Sequence, residues 1–411
     1  MASLKKESIY LYLIQASNFI IPLVTLPYLT KVLGLSSLGK LGIAQSIFFF
    51  IGFIVDFGFT YSAARDISLS NDAEEKNKIF INIQFLRLLI FVLIALVSSI
   101  FVLTLNSSEN ELYLIAIFSS ISFVLIPAWY FNGISSNSIL ALYTLLFKVL
   151  MLIPIFLFVK DESDYVIAFI VQNASLIILG VIIISYIKIK EKIRIKIEYL
   201  NIHYSLKKLS EGFDTFSGSA ISIIYTTGVP FIIKLALGDY WVGVYVLVEK
   251  IVSILKQMFT PIMQACYSKI CKLYESDSYR EINKLNKIIL SIYFFLVVVA
   301  MIFNYCFGDF IIEKFFGNQK ILIEYIFYSI VLQFIVGCSL ILIYGNIIPA
   351  GGGYLLKKIY IISAIIFSML IFCFFDILTL SSIYYIIMIT ELCIVVFSVY
   401  LMKNKALGIF K

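Results

Sequence analysis

The stretch IFINIQFLRLLIFVLIALVSSIFVLT, residues 79–104, decides the fold. Coiled as a helix at 1.5 Å per residue it is about 39 Å long, enough to cross a hydrocarbon core of roughly 30 Å. Its apolar residues run on continuously instead of alternating, so the pattern is that of a helix and not of a barrel strand. Working outward, similar stretches recur at about 9–33, 39–60, 111–131, 139–159, 164–187, 209–237, 241–266, 287–308, 321–348, 356–377 and 381–402. The sequence therefore predicts an all-α integral membrane protein with about twelve transmembrane helices. One ionisable side chain, Arg87, interrupts the opening stretch, and such interruptions are the places to look for function.

Composition agrees. Hydrophobic residues make up 61% of the 411 and charged residues 14%, against about 25% charged in a soluble domain. The mean hydropathy is +1.01. Met1 to Glu7 leads directly into a full-length span, so no cleavable leader is expected. The six cysteines form no CxxC pair and His203 is the single histidine, which argues against a metal site or a disulfide framework. No metal, cofactor or catalytic group is expected. No GxxxxGK[ST] pattern occurs, so the chain encodes no ATP motor of its own.

The net charge of +7 is distributed by topology, which speaks against nucleic acid as a partner. Alternate joints hold most of the Lys and Arg, including Lys5, Lys6, Arg65, Lys188, Lys190, Lys192, Lys269, Lys272, Lys357 and Lys358. The opposite joints hold Lys31, Lys40, Lys160, Lys314 and Lys320. The positive-inside rule places the basic set and both termini in the cytoplasm.

The longest internal joint, Lys188 to Lys208, divides six spans from six. Its Ile/Lys alternation suits a basic linker against the membrane, an interfacial segment or an edge-like strand. The expected organisation is an N-terminal lobe over 1–188, a basic cytoplasmic linker over 189–208 and a C-terminal lobe over 209–411. A short repeat supports the division: Leu33-Gly34-x4-Gly39 joins spans one and two, and Leu237-Gly238-x4-Gly243 joins spans seven and eight.

Ionisable groups near mid-bilayer cost at least about 2.5–3.5 kcal/mol on insertion scales, so they seek a cavity or a partner. Arg87 has Gln84 on its face at i−3, Lys148 follows Thr144 by one turn, and Lys250 lies beside Glu249. Tyr245, Glu249, Ser253, Lys256, Thr260 and Gln264 form one stripe, and Gln15, Asn18, Pro22 and Thr25 a milder one. Glu391 is an isolated acid near the centre of the last span. Lys31, Lys234 and Lys256 can also snorkel, and Asp56, Glu211 and Asp214 can cap helix ends. Glu391 can equally be a protonated acid bonded between helices. The deep groups lean cationic, which favours an anionic substrate. Prolines 22, 27, 127, 154, 230 and 261 fall within spans, where they can kink helices.

At the amino end the residues become specific. Leu13-Ile-Gln-Ala-Ser-Asn-Phe-Ile-Ile-Pro-Leu-Val-Thr-Leu-Pro-Tyr-Leu-Thr-Lys-Val-Leu-Gly34 resembles the first span of the Wzx-type polysaccharide flippases. That family belongs to the multidrug/oligosaccharidyl-lipid/polysaccharide exporter superfamily. The likeness continues through Leu38-Gly39, Ala44-Gln45-Ser46, Asp56-Phe57-Gly58-Phe59 and Ser62-Ala63-Ala64-Arg65-Asp66. Tyr225-Thr226, Val242-Gly243-Val244-Tyr245 and Glu249-Lys250-Ile251 look like the family's seventh and eighth spans.

The resemblance implies two six-helix lobes around a central cavity, opening alternately to each side of a bacterial inner membrane. It implies a non-enzymatic flippase for oligosaccharide repeat units carried on undecaprenyl pyrophosphate, serving O-antigen or capsule synthesis. Polysaccharide polymerase and chain-length regulator are the implied protein partners. Candidate binding residues are Lys31, Arg65, Arg87, Lys148, Lys250 and Lys256. Candidates for coupling to an H+ or Na+ gradient, or for gating, are Asp56, Glu249 and Glu391. Lys31, Asp56, Arg65 and Lys250 sit on positions matching the family; Arg87 and Lys148 are candidates by depth alone. Two alternatives stay open: a related drug or metabolite exporter, and a membrane glycan polymerase or glycosyltransferase.

Overall fold

The computed structural model describes residues 2–404 apart from Asn71, Asn106, Arg194, Ile195, Asn318 and Gly351. Side chains lie outside the described set at 2–20, 22, 23, 197, 214, 215, 218, 219, 222, 224–226, 258–261, 264, 265, 268, 353, 354, 403 and 404. The chain forms two compact units, 1–220 and 221–411.

Unit one starts with α1 (Ala2–Asp56), α2 (Phe59–Leu69) and α3 (Ala73–Thr104). A broken rod follows, made of α4 (Asn110–Ser119), α5 (Ile121–Leu125) and α6 (Ala128–Gly133). Then come α7 (Asn137–Leu150), α8 (Leu152–Phe158), α9 (Tyr165–Lys190) and the first part of α10 (Ile202–Thr227). Unit two continues with α11 (Val229–Leu237), α12 (Asp239–Glu275), α13 (Tyr279–Ile311), α14 (Ile321–Leu342), α15 (Gly353–Phe374) and α16 (Leu380–Asn404).

Among the described residues, nine stretches are long and apolar enough to cross a membrane. The first of them, Val24–Leu69, runs through two of the expected spans. The expected spans at 209–237 and 241–266, α10–α11 and α12, carry many of the side chains outside the described set. The chain is therefore an all-α, multi-pass membrane protein, and its helical rods fall in the twelve expected places. The described parts of the Lys188–Lys208 joint contain a short 3-10 turn, Ile197–Tyr199, and no strand.

Two glycines set the entry to each half. Gly34 has φ 70° and ψ 172°, and Gly238 has φ 89° and ψ 177°. This conformation is essentially closed to residues with a Cβ. The repeat seen in sequence thus has one backbone geometry in both copies, a kink that lets one apolar helix end and the next begin within a residue. Near the second copy, Lys234 pairs with Asp239 at 2.8 Å.

The start of α10 is held against unit one. Asn82 of α3, buried, uses every hydrogen-bonding position it has. Its amide donates to Lys78 O at 2.7 Å and Tyr199 O at 2.9 Å, and its oxygen accepts from Asn201 N at 2.8 Å and Ser205 Oγ at 2.9 Å. Asn201 Oδ1 in turn accepts from Tyr204 N at 3.0 Å, capping the helix, so α10 begins at Ile202, within the segment expected to be linker. Lys208 Nζ lies 2.7 Å from Asp66 of α2 and 2.5 Å from Glu211. Burial works against the Lys208 charge, but the hydrogen bonds to Asp66 and Glu211 outweigh it and raise its pKa. Burial and the Asp66 carboxylate push the Tyr204 phenol up to about 12.

In unit two, Tyr293 of α13 lies flat against Gly337 of α14 and donates to Gln333 O at 2.7 Å. A Cβ on Gly337 would sit 1.7 Å from Tyr293 Cε1. Such an approach leaves no room for alanine without moving a helix.

Two kinds of glycine should therefore fail differently. Gly337→Ala should lose about 1–3 kcal/mol by overpacking, and trimming Tyr293 to Leu in the same chain should recover part of its melting temperature. Gly238→Ala should lose about 1–3 kcal/mol by backbone strain, and neighbour trimming should not help, since nothing lies within 4 Å of that Cβ. For the α10 anchor, the raised Lys208 pKa means its stabilisation is complete below the ordinary lysine value of about 10.4 and fades as pH climbs through the raised value. Asp66→Asn should lower the melting temperature near neutral pH, and the gap to wild type should close in strong alkali.

Candidate functional site

In unit one the deep cation belongs to a helix break. Pro127 has no N–H, so the Phe123 carbonyl loses the partner it would have four residues on, and Ile126 turns extended. Arg87 Nη2 donates to Phe123 O at 2.5 Å, and Gln84 Nε2 donates to Val124 O at 2.9 Å. Arg87 Nη1 also donates to Gln84 Oε1 at 3.1 Å, locking the pair together. Arg87 is 3% exposed, and its Nε has no hydrogen-bond partner among the described residues. The guanidinium thus replaces the hydrogen bond that proline removes, in a medium where a bare carbonyl costs several kcal/mol. Asp56, at the end of α1, is the acid whose charge bears on it. Asp56 Oδ1 accepts from Thr60 Oγ1 at 2.6 Å.

The other basic candidates of unit one are spread out. Lys31 on α1 and Arg65 on α2 are exposed, whereas Lys148 is half-buried in the last turn of α7. Thr144, one turn earlier, bonds back to Leu140 O at 2.7 Å. Beside Arg65, Asp66 is committed to the Lys208 anchor. Of the milder stripe on span one, Gln15, Asn18 and Pro22 lie outside the described side chains, and Thr25 Oγ1 bonds back to Ile21 O at 3.0 Å.

Unit two gathers its acids. Helices α12, α14 and α16 pack side by side and bring Glu249, Lys256 and Glu391 into electrostatic reach, the lysine acting on both carboxylates. Glu249 Oε1 accepts from Ser329 Oγ at 2.7 Å and from Tyr384 OH at 3.5 Å. Glu391, 7% exposed, accepts from Ser339 Oγ at 3.2 Å through Oε2. Tyr384, which donates to Glu249, packs its ring against Tyr245, Tyr325 and Tyr328, with ring centroids 5.7–6.2 Å apart. Lys256 itself is exposed. Lys250 is half-buried on α12, and among the described residues no acid or hydrogen-bond partner bears on its ammonium. Thr260 and Gln264 of the same stripe lie outside the described side chains.

Sequence reading pairs Arg87 with Gln84 on one face and Glu249 with Lys256 on one stripe, and leaves Glu391 isolated. It did not find Ser329, Ser339 and Tyr384, because a serine or tyrosine in a span carries no local mark of the helix it faces. Asn82 was also missed. An asparagine four residues after Lys78 in a long apolar run was the available signal. Among the described residues, no group of three or more His, Cys, Asp or Glu is arranged to hold a metal ion.

Comparison with known proteins places this arrangement. A protein of Escherichia coli (strain K12) named "Putative O-antigen transporter" is 29% identical over 275 residues, 65% of each chain. The chain thus matches just under two thirds of that relative's length. Among solved structures, one described as the lipid II flippase MurJ in an inward closed conformation superposes with a TM-score of 0.66 at 17% identity, covering 97% of this chain and 87% of that one. An outward-facing multidrug resistance MATE family transporter of the MOP superfamily gives 0.62 at 15%, covering 99% and 97%. At such identities these two speak for the fold alone. The family described as "Polysaccharide biosynthesis protein" matches residues 4–268, well over half of the sequence, and the chain belongs to that family.

Proposed function

We propose that this protein is a flippase that moves polyprenyl-pyrophosphate-linked oligosaccharide units from the cytoplasmic to the outer leaflet of a bacterial inner membrane. The units would feed a surface polysaccharide such as O-antigen or capsule. The observation that carries the reading is the 29% identity over 275 residues to a chain named for O-antigen transport. The family match over residues 4–268 and the fold shared with a lipid II flippase support it. The work is transport by alternating access, without bond-making chemistry. Both termini would lie in the cytoplasm, where the basic joints fall, and a polymerase and a chain-length regulator would take up the product.

The basic candidates take different parts in this reading. Lys250 is the leading contact for the pyrophosphate, because a half-buried ammonium with no acid partner has charge to spare. Lys148 is a second candidate by its half-buried place on α7, and Lys31, Arg65 and Lys256 are exposed enough to meet the substrate on its way. Arg87 already serves the Phe123 carbonyl and orients Gln84, so its contribution is to hold the broken rod in shape. Asp56, Glu249 and Glu391 are the candidates for coupling. A carboxyl group between helices, bonded to one serine as Glu391 is, can gain or lose a proton without losing its hydrogen bond.

A second reading, export of cationic compounds, is favoured by one observation, the two acids of unit two, Glu391 buried and Glu249 half-buried, in a fold shared with a multidrug transporter. The two readings predict opposite residues. For the flippase, Lys250→Ala should abolish surface glycan at unchanged protein level, with Lys250→Glu at least as severe. Arg87→Ala should lose both glycan and thermal stability, because the Phe123 carbonyl is left bare and Gln84 loses its partner. For the exporter, Lys250→Ala would leave surface glycan normal. Glu391→Gln should reduce transport that depends on a proton or sodium gradient. Transport unchanged by collapse of both gradients would remove that role from Glu391, Glu249 and Asp56.

A further inference from the structure

Unit one carries a groove of about 520 Å³ that the transport reading does not use. Phe85 and Leu88 of α3 form one wall, Val124 of α5 and Ile184 of α9 the others, and Lys196 and Leu200 of the connector close one end. Phe85 and Leu88 are exposed on the surface of unit one, within the apolar span Ala73–Thr104, so the groove is open along that span. Its inner wall includes Gln84, whose amide is occupied by Val124 O, so the groove offers a chain little besides hydrocarbon.

Its polar end has one sign of charge to give. Lys196 is half-exposed and 3.8 Å from Glu198, itself 81% exposed. A pair this open is worth little and yields readily to a competing anion. Exposed Lys188, Lys190 and Lys192 lie on the same stretch of chain, with partly buried Glu191 as the intervening acid. Lys78, near by, is taken by Glu74 at 2.9 Å. Along α3 the lining runs from Phe80 to Leu88, a rise of about 12 Å. This stays within one leaflet of a core roughly 30 Å thick.

We infer that this groove is a binding site for an anionic phospholipid of the leaflet on the basic side. One acyl chain would lie along α3 between α5 and α9, with the phosphate at Lys196. The site is distinct from the substrate contacts proposed above and does not depend on them. A single-leaflet groove fits an acyl chain, whereas a much longer polyprenyl chain would leave most of itself outside. A lipid seated there also covers the joint formed by Arg87, Gln84 and the broken rod, so its occupancy should be felt as stability.

Native mass spectrometry of the purified full-length protein, exchanged into equimolar phosphatidylglycerol and phosphatidylethanolamine, tests the site. Wild type should retain one phosphatidylglycerol in preference by about five-fold, the scale of one lysine at a lipid surface. Lys196→Glu should erase that preference, and Leu88→Trp should fill the groove and lower total retention. Cross-linking of wild type with a photoreactive acyl phosphatidylglycerol needs no variant and should label Phe85, Leu88 or Ile184. Equal retention of the two lipids by wild type, labels confined to other helices, or displacement of phosphatidylglycerol by an equimolar polyprenyl phosphate would each overturn the assignment. Added phosphatidylglycerol should raise the melting temperature of wild type more than that of Lys196→Glu; equal shifts would likewise count against it.

Discussion

The requirement that every backbone carbonyl and amide in a span find a partner without water governs this structure. An intact helix meets it by itself, and most of the chain takes that route. The informative places are those where the helix is broken. At Pro127 the missing N–H is replaced from another helix, by Arg87 on Phe123 O and Gln84 on Val124 O. Where α9 gives way to α10, Asn82 supplies three hydrogen bonds to fix the turn. Arg87, Gln84 and Asn82, which look out of place in lipid, are thus repairs to the backbone of a neighbour.

Unit two also bonds main chain with side chains, as Tyr293 does with Gln333 O, but two of its acids are used otherwise. Glu249 and Glu391 are held by serine and tyrosine hydroxyls, not by main chain, and Lys256 bears on both. Such acids do nothing for the continuity of a helix, and their burial costs stability. The proposed function accounts for that cost through Lys250 as an anion contact and the acids as proton carriers. These acids, together with Lys250 on the same helix as Glu249, are the basis for assigning chemistry mainly to the second unit.

The spans were legible because an apolar run of about twenty residues has few other meanings. The Gly34 and Gly238 repeat was legible too, and its shared geometry shows that both copies make the same kink. Family membership was legible from Leu13–Gly34 and the motifs that follow it. The partners of Arg87 were not, although Pro127 was in plain view. Pairing them requires knowing that α3 packs on the broken rod, and periodicity within one helix does not say which helix it faces. The same holds for Ser329 with Glu249 across 80 positions of sequence. The start of α10 was not legible for a local reason: Asn201 caps a helix that the Lys-rich composition disguises.

The most direct test of the account is leaflet exchange in vesicles containing the purified protein and a fluorescent polyprenyl-pyrophosphate-linked oligosaccharide. A membrane-impermeant quencher reports the fraction of labelled headgroups facing outward. The account predicts that the inner pool becomes accessible far faster than in protein-free vesicles, while a labelled phosphatidylethanolamine stays put. Exchange no faster than in empty vesicles, with protein shown folded by its melting transition, would contradict it.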